Sequence, residues 1–125
     1  MKAMVTVINI IHMKTIIAFI QPFKEEAVRE ALHTTPGVTG ASFTDIRGFG
    51  RGRGIAFSSS RDEALLGTLP KVRVDLMVPA SQVDSVVAAI ATAAKTGNRG
   101  DGKVYVLPVE SALRISTSEE GPDAI

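Results

Sequence analysis

One local pattern occurs twice along the chain, and it limits the folds that the chain can adopt. Residues 16–46 and residues 72–109 each run from a β-branched segment through a proline and an amphipathic stretch to a glycine turn and a second β-branched segment. Strand-like segments of this kind with helical spacing between them indicate two βαβ-like halves in succession.

Two such halves predict the split βαβ plan, an α+β, ferredoxin-like βαββαβ sandwich. Strands are predicted over 13–20, 38–46, 72–78 and 104–109, with 113–115 as an optional short fifth, and helices over 24–33 and between Pro79 and Gly97. The glycine-rich stretch from Gly48 to Pro70 is predicted as one long loop, and 118–125 as a polar tail. A four-stranded sheet covered by two helices leaves one face and two edges open, which favours oligomers.

Composition excludes several classes of function. The chain has 125 residues, enough for one domain, and its formal net charge of +1 is too small to drive non-specific binding to nucleic acid or an anionic membrane. The absence of cysteine excludes a disulfide scaffold, a thiol nucleophile and a cysteine-based zinc site. With only two histidines as well, no metal site is predicted.

The first 12 residues stand apart from the repeated pattern. Met13 offers a second start directly before the first predicted strand, so 1–12 is interpreted as an N-terminal extension or a mis-called start and 13–125 as a single domain. The apolar run over 4–11 is too short to span a bilayer and lacks the features of a signal peptide. A cytoplasmic protein is therefore expected.

The clearest chemical signal is the run Gly100-Asp101-Gly102-Lys103 between the second predicted helix and the fourth strand. Glycines let backbone N–H groups approach an anion closely, and a lysine adds positive charge. The residues alone leave two readings open, a phosphate-binding turn and a plain glycine turn. His12 lies in the extension and His33 on a helix without an evident carboxylate partner, so no enzyme is predicted.

Four motifs, in this order and spacing, resemble the P-II nitrogen-regulatory signal-transduction family. They are Gln-Pro-Phe-Lys at 21–24, Gly-Phe-Gly-Arg at 48–51, Leu-Pro-Lys-Val at 69–72, and the run over 96–106, in which Tyr105 replaces a usual Phe or Trp. The resemblance covers 13–125. It implies a homotrimer that binds ATP or ADP in clefts between subunits, with Mg²⁺ accompanying ATP, and that binds 2-oxoglutarate in many members.

In the family, a flexible loop, the T-loop, then docks on a regulated enzyme, transporter or transcription regulator; here it corresponds to about 51–68. The resemblance implies that nine residues bind nucleotide: Ser42, Gly50, Arg51, Met77, Gly100, Asp101, Gly102, Lys103 and Arg114. Asp75 also matches a position that lines the base pocket. The resemblance also implies that the small-molecule effector binds at Lys71 and Gly52. The implied contacts with the partner protein are Arg53, Phe57, Arg61 and Leu65.

Three positions depart from the family pattern. Gly52 stands where most nitrogen-sensing members have a Gln that ligates Mg²⁺, which speaks against classical 2-oxoglutarate sensing. Ser116 replaces a second phosphate-binding arginine, and Ala64 replaces the uridylylated tyrosine. The chain is therefore interpreted as a divergent, non-uridylylated branch. The alternative is a P-II-like trimer that binds another small ligand or a metal ion to regulate a transport system.

Overall fold

The computed structural model describes residues 12–50 and 68–125 as four strands and two α-helices. The sheet order is β2-β3-β1-β4, with every neighbouring pair antiparallel. Both helices follow a strand and a short 3₁₀ turn, which confirms the predicted ferredoxin-like plan. The elements are β1 Met13–Ile20, α1 Glu25–His33, β2 Ser42–Gly48, β3 Leu69–Pro79, α2 Val83–Ala94 and β4 Gly102–Pro108.

The core lies between the two helices and one face of the sheet. Alternate residues of the two central strands point into it, so that Ala18 of β1 pairs with Val74 of β3 and both are fully buried. Val28 on α1 and Ile90 on α2 cover them. Burial of these apolar side chains is the main term that stabilises a domain of this size.

The second strand begins later than the sequence predicts. The predicted 38–46 becomes Ser42–Gly48, because β2 forms its ladder with β3 only from the pair Ser42 and Asp75 onward. Val38 instead donates its backbone N–H to the carbonyl of Thr35 at 3.4 Å and packs on the core outside any strand. Its apolar side chain made the segment resemble a strand.

Other boundaries move as well. β3 is longer than the predicted 72–78 because Pro70, expected in the loop, lies within it opposite Arg47. β4 covers 102–108 rather than 104–109 because it pairs with β1 as far as Gly102.

The C-terminal predictions also change. The optional fifth strand is reduced to a single bridge between Leu113 and Glu120. The predicted polar tail contains a 3₁₀ turn, Gly121–Ala124, with Gly121 buried. The first residues of this tail therefore fold back on the segment that follows β4.

The other face of the sheet is not covered by a helix. Its side chains come from alternate positions of the strands and combine apolar and charged groups. Two large apolar side chains on this face, Met77 and Leu107, are 43% and 42% exposed. Large apolar side chains are more often buried. The edge strands β2 and β4 each have one side without a partner strand among the described residues. No helix in those residues is long and apolar enough to cross a membrane.

Candidate functional site

A glycine turn connects α2 to β4 at one end of the sheet. Gly100 and Gly102 have φ angles of +88° and +112°, in the left-handed region that glycine adopts without strain. A Cβ atom at Gly102 would overlap the backbone carbonyl of Phe19 on β1. The turn therefore requires glycine at Gly102 both for its conformation and for the close approach of the two backbones.

Asp101 directs its carboxylate back into the turn. It accepts the backbone N–H of Thr96 at 2.8 Å, the N–H of Gly97 at 3.0 Å and the hydroxyl of Thr96. The bonds from Thr96 are the main cause that lowers the pKa of Asp101, and the charge of Lys24 adds to it. The structure thus gives this predicted nucleotide ligand a role in shaping the turn.

Two side chains from elsewhere in the chain meet on the carbonyl oxygen of Gly100. The ammonium of Lys71, on β3, donates to it at 2.9 Å, and the side-chain amide of Gln21 donates at 2.7 Å. Partial burial lowers the pKa of Lys71, and the nearby charge of Asp101 partly counters this. Lys71, predicted as an effector ligand, therefore lies at the glycine turn.

The sequence analysis assigned no binding role to Gln21. It identified this residue only as part of the motif at 21–24. The signal that would have found it is the strand register, because Ile20 pairs with Gly102 and the next residue of β1 must then lie beside the turn. That register depends on pairing between distant segments, which local patterns do not specify.

The turn also presents an unused donor. In residues 12–50 and 68–125, the backbone N–H of Gly100 donates to no protein acceptor, whereas that of Asp101 lies in a hydrogen-bonded turn across 98–101. Lys103, the first charged residue of β4, follows them and is exposed. A glycine turn with a free backbone donor close to a lysine is the kind of concavity that binds phosphate or carboxylate oxygens.

The remaining predicted ligands lie away from the turn. Ser42 is on the edge strand β2 opposite Asp75, whereas Lys103 is on the other edge strand, β4. Three strand spacings separate these edges, about 14 Å in all. Met77 lies on the uncovered face of β3, two residues beyond Asp75. One chain by itself therefore does not bring the predicted nucleotide ligands into a single cavity.

Arg114 lies on the segment that follows β4, and its contacts are with the C-terminal residues. Its backbone N–H donates to the carbonyl of Glu119 at 2.9 Å, and its guanidinium donates to the carbonyl of Ile125 at 3.2 Å. The guanidinium is also 3.8 Å from the carboxylate of Glu119, a long and exposed ion pair. Arg114 thus holds the C-terminal turn in place while its side chain remains accessible.

Charged and aromatic side chains alternate across the uncovered sheet face. Arg73 forms a two-pronged hydrogen bond with Asp75, with distances of 2.9 Å from Nε to Oδ2 and 2.9 Å from Nη2 to Oδ1. The guanidinium also lies 6.0 Å from the ring centre of Phe19, which packs edge-on against Tyr105 at 6.1 Å. The carboxylate of Asp75 is thus already engaged by a neighbour on its own strand.

Several predicted residues lie at or beyond the limit of the described structure. Gly50 is the last described residue before the gap, and it follows β2. Six predicted residues, with most of the predicted loop, fall outside the described ranges: Arg51, Gly52, Arg53, Phe57, Arg61 and Leu65. In the described part of the chain, no group of three or more His, Asp or Glu side chains is arranged to hold a metal ion.

Comparison with known proteins identifies the family. The sequence model of the family described as Nitrogen regulatory protein P-II matches residues 13–119. The Nitrogen regulatory protein P-II of Pasteurella multocida is 45% identical over 113 residues, which are 90% of this chain and 100% of the relative. The Nitrogen regulatory protein P-II 1 of Escherichia coli is 43% identical with the same coverage.

A solved structure is similar over nearly the same length. It is the crystal structure of Arabidopsis thaliana PII bound to citrate, with a TM-score of 0.74 and 31% identity, covering 91% of this chain and 92% of that one. Sequence and fold agree, and the chain belongs to the Nitrogen regulatory protein P-II family.

Proposed function

We propose that the protein is a trimeric regulator that binds an adenine nucleotide, ATP or ADP, in clefts between its subunits and controls a partner protein through the loop at 51–68. Membership of the family supports a regulatory rather than an enzymatic role. The observation that carries the nucleotide proposal is the glycine turn, with the free backbone N–H of Gly100 near Lys103. Such a turn can hold phosphate oxygens without a dedicated side-chain cage.

The distribution of the candidate ligands supports a site between subunits. Lys103 and Ser42 lie on opposite edge strands of one sheet. A closed ring of identical subunits joins two different surfaces of the chain. In the proposed ring these are the β4 edge of one chain and the β2 edge of the next, so that phosphate donors and base-lining residues meet. The exposed apolar residues of the uncovered face, such as Met77 and Leu107, would be buried in the same assembly.

The proposed regulator responds to nucleotide more than to 2-oxoglutarate. Lys71 offers a positive charge near the glycine turn, but it already donates to the carbonyl of Gly100. Gly52 carries no side chain that could ligate Mg²⁺. Ser116 supplies no second cation for a triphosphate, so binding should favour ADP over ATP more than a site with two arginines would.

A second candidate ligand is a small polycarboxylate. The Arabidopsis thaliana neighbour is described as bound to citrate. Lys71 and the free Gly100 N–H of the glycine turn provide suitable donors for carboxylate oxygens. This candidate keeps the same trimer and the same turn but removes the nucleotide from the signalling step.

Calorimetric titration with ADP, ATP, AMP and citrate tests both candidates. Each titration is carried out with and without Mg²⁺ and 2-oxoglutarate, after the mass in solution has been measured by light scattering. A trimer that binds ADP or ATP with little change on addition of 2-oxoglutarate supports the proposal. Citrate binding without nucleotide binding supports the second candidate, and a monomer that binds none of them refutes both.

A further inference from the structure

We propose that Gln21 is a positioning residue for the anion site: its side-chain amide fixes the Gly100 carbonyl and thereby holds the glycine turn in the conformation that binds an anion. The inference rests on the proposed nucleotide function of the glycine turn. It starts from the 2.7 Å hydrogen bond between Nε2 of Gln21 and the carbonyl oxygen of Gly100, which joins residues 79 positions apart.

The geometry of the peptide bond connects this carbonyl to the anion site. The C=O of Gly100 and the N–H of Asp101 belong to one planar trans peptide unit, so they point in opposite directions. A side chain that holds the carbonyl therefore also sets the direction of the Asp101 N–H. That N–H lies in the hydrogen-bonded turn across 98–101, so holding the carbonyl also stabilises the turn, whose Gly100 N–H is left available to a ligand oxygen.

Holding the Gly100 carbonyl in place affects anion binding because the turn contains glycine, which has the greatest backbone freedom. Gly100 has a φ angle of +88° and no side chain, so its flanking peptide units are the least restricted by local sterics. A free turn would have to be ordered when an anion binds, and that ordering would weaken binding. A carbonyl held by two donors is already in place before the ligand arrives.

Gln21 itself sits on a rigid support. It directly follows β1 and precedes Pro22, and its backbone is extended, with φ −67° and ψ 139°. The residue before a proline is sterically restricted to this region. The side chain therefore starts from a backbone position fixed by the core strand on one side and by the proline on the other.

The two donors on the carbonyl are chemically different. Lys71 is charged and has further N–H groups that a ligand carboxylate or phosphate would attract, whereas the amide of Gln21 is neutral. The hydrogen bond from Gln21 can thus persist when Lys71 turns toward a ligand. This division assigns Gln21 to positioning and leaves Lys71 free for direct contact.

The test compares Gln21→Met with Gln21→Lys. Methionine has a similar length and no donor, while lysine restores a donor at the same place. The measurement is ADP affinity by calorimetry at high salt, where the added charge of the lysine is screened. We expect the methionine variant to bind ADP about threefold to tenfold more weakly, the effect of one lost hydrogen bond, and the lysine variant to bind like the wild type.

A second readout separates this proposal from the nucleotide function. The order parameter of the Asp101 amide, measured by NMR on the ligand-free protein, should fall in Gln21→Met and recover in Gln21→Lys. If wild type binds no nucleotide, the proposed function fails, and the order parameter alone decides the role of Gln21. The positioning role is wrong if both variants match wild type, or if both lose order and affinity equally.

Discussion

The carboxylate of Asp101 accepts the backbone N–H of Thr96 at 2.8 Å, and this contact closes the segment that leads from α2 into β4. The same carboxylate accepts the N–H of Gly97 at 3.0 Å. These bonds are strongest to the ionised side chain, because protonation turns one of its two acceptor oxygens into a donor. The turn that presents the candidate anion site is therefore sensitive to protonation of a single residue.

Acid should loosen this turn. Because hydrogen bonds from Thr96 lower the pKa of folded Asp101 below its ordinary value of 3.8, its contribution to stability is complete above that value. The contribution is lost as the pH falls through the lower, folded-state pKa. We expect the amide NMR signals of Thr96 and Gly97 to titrate with a midpoint below 3.8.

Asp101→Asn is the matched control for that titration. Its amide is close in shape to the carboxyl group, but its NH₂ group cannot accept a hydrogen bond and it does not ionise. The acid-dependent change at Thr96 and Gly97 should disappear in this variant. A midpoint at or above the ordinary Asp value in the wild type would contradict the assigned contacts.

Replacing one glycine of the turn should destabilise the fold much more than replacing another. In Gly102→Ala the new Cβ overlaps the backbone carbonyl of Phe19 at a φ of +112°, so both strain and overpacking oppose folding. We expect a loss of about 2–4 kcal/mol in the free energy of unfolding. The measurement is urea unfolding at matched protein concentration, since an oligomer's stability depends on concentration.

Gly97→Ala is the control for the steric overlap between the added Cβ and its neighbours. Gly97 has a similar φ of +89° but no atom within 4 Å of the added Cβ, so only conformational strain remains. We expect a loss of about 1–2 kcal/mol. Equal losses in the two variants would show that close approach to β1 is not what requires glycine at Gly102.

The repeated local pattern predicted the fold because, in each half, the spacing of apolar residues along the sequence is enough to identify the strands and the helix. Ala18 and Val74 lie in segments where buried residues alternate with outward-facing ones, as in a strand. Val28 and Ile90 lie in segments where apolar residues recur at helical spacing. The period of the apolar residues was therefore enough to predict the type of each element. Val38 shows where this fails, since an apolar residue packs on the core without joining a strand. Pairing with β3, which only the folded sheet provides, decides where β2 begins.

The candidate site was predicted in part for a related reason. The glycine run and Lys103 are contiguous, so the sequence displays them together. Gln21 meets Gly100 only through the pairing of β1 with β4, and the inward role of Asp101 depends on the conformation of the turn. Contacts of this kind arise from register and backbone geometry, which residue types do not encode one at a time.

Lys103→Ala should weaken nucleotide binding. If the ammonium forms a charge-assisted bond with a phosphate oxygen, its loss should reduce the binding free energy of ADP by about 1–3 kcal/mol. Lys14→Ala is the control, because Lys14 lies on β1 five residues from the partner of Lys103, about 17 Å along the strands. Calorimetry that shows unchanged ADP affinity in Lys103→Ala would remove this lysine from the site.

Restoring a glutamine at Gly52 should increase the response to 2-oxoglutarate. The resemblance to the family places at this position an amide oxygen that ligates Mg²⁺ between ATP and the effector, and glycine offers none. Because Mg²⁺ binds through oxygen ligands, the added side chain supplies the missing contact without changing Lys71. Calorimetry of Gly52→Gln with Mg²⁺ and ATP should show tighter 2-oxoglutarate binding than in wild type. The control is Gly54→Gln, which adds the same side chain two residues away and should not tighten binding.

Strong binding of 2-oxoglutarate by the wild-type protein would mean that another group already completes the metal site. The interpretation of Gly52 as a lost effector ligand would then be wrong.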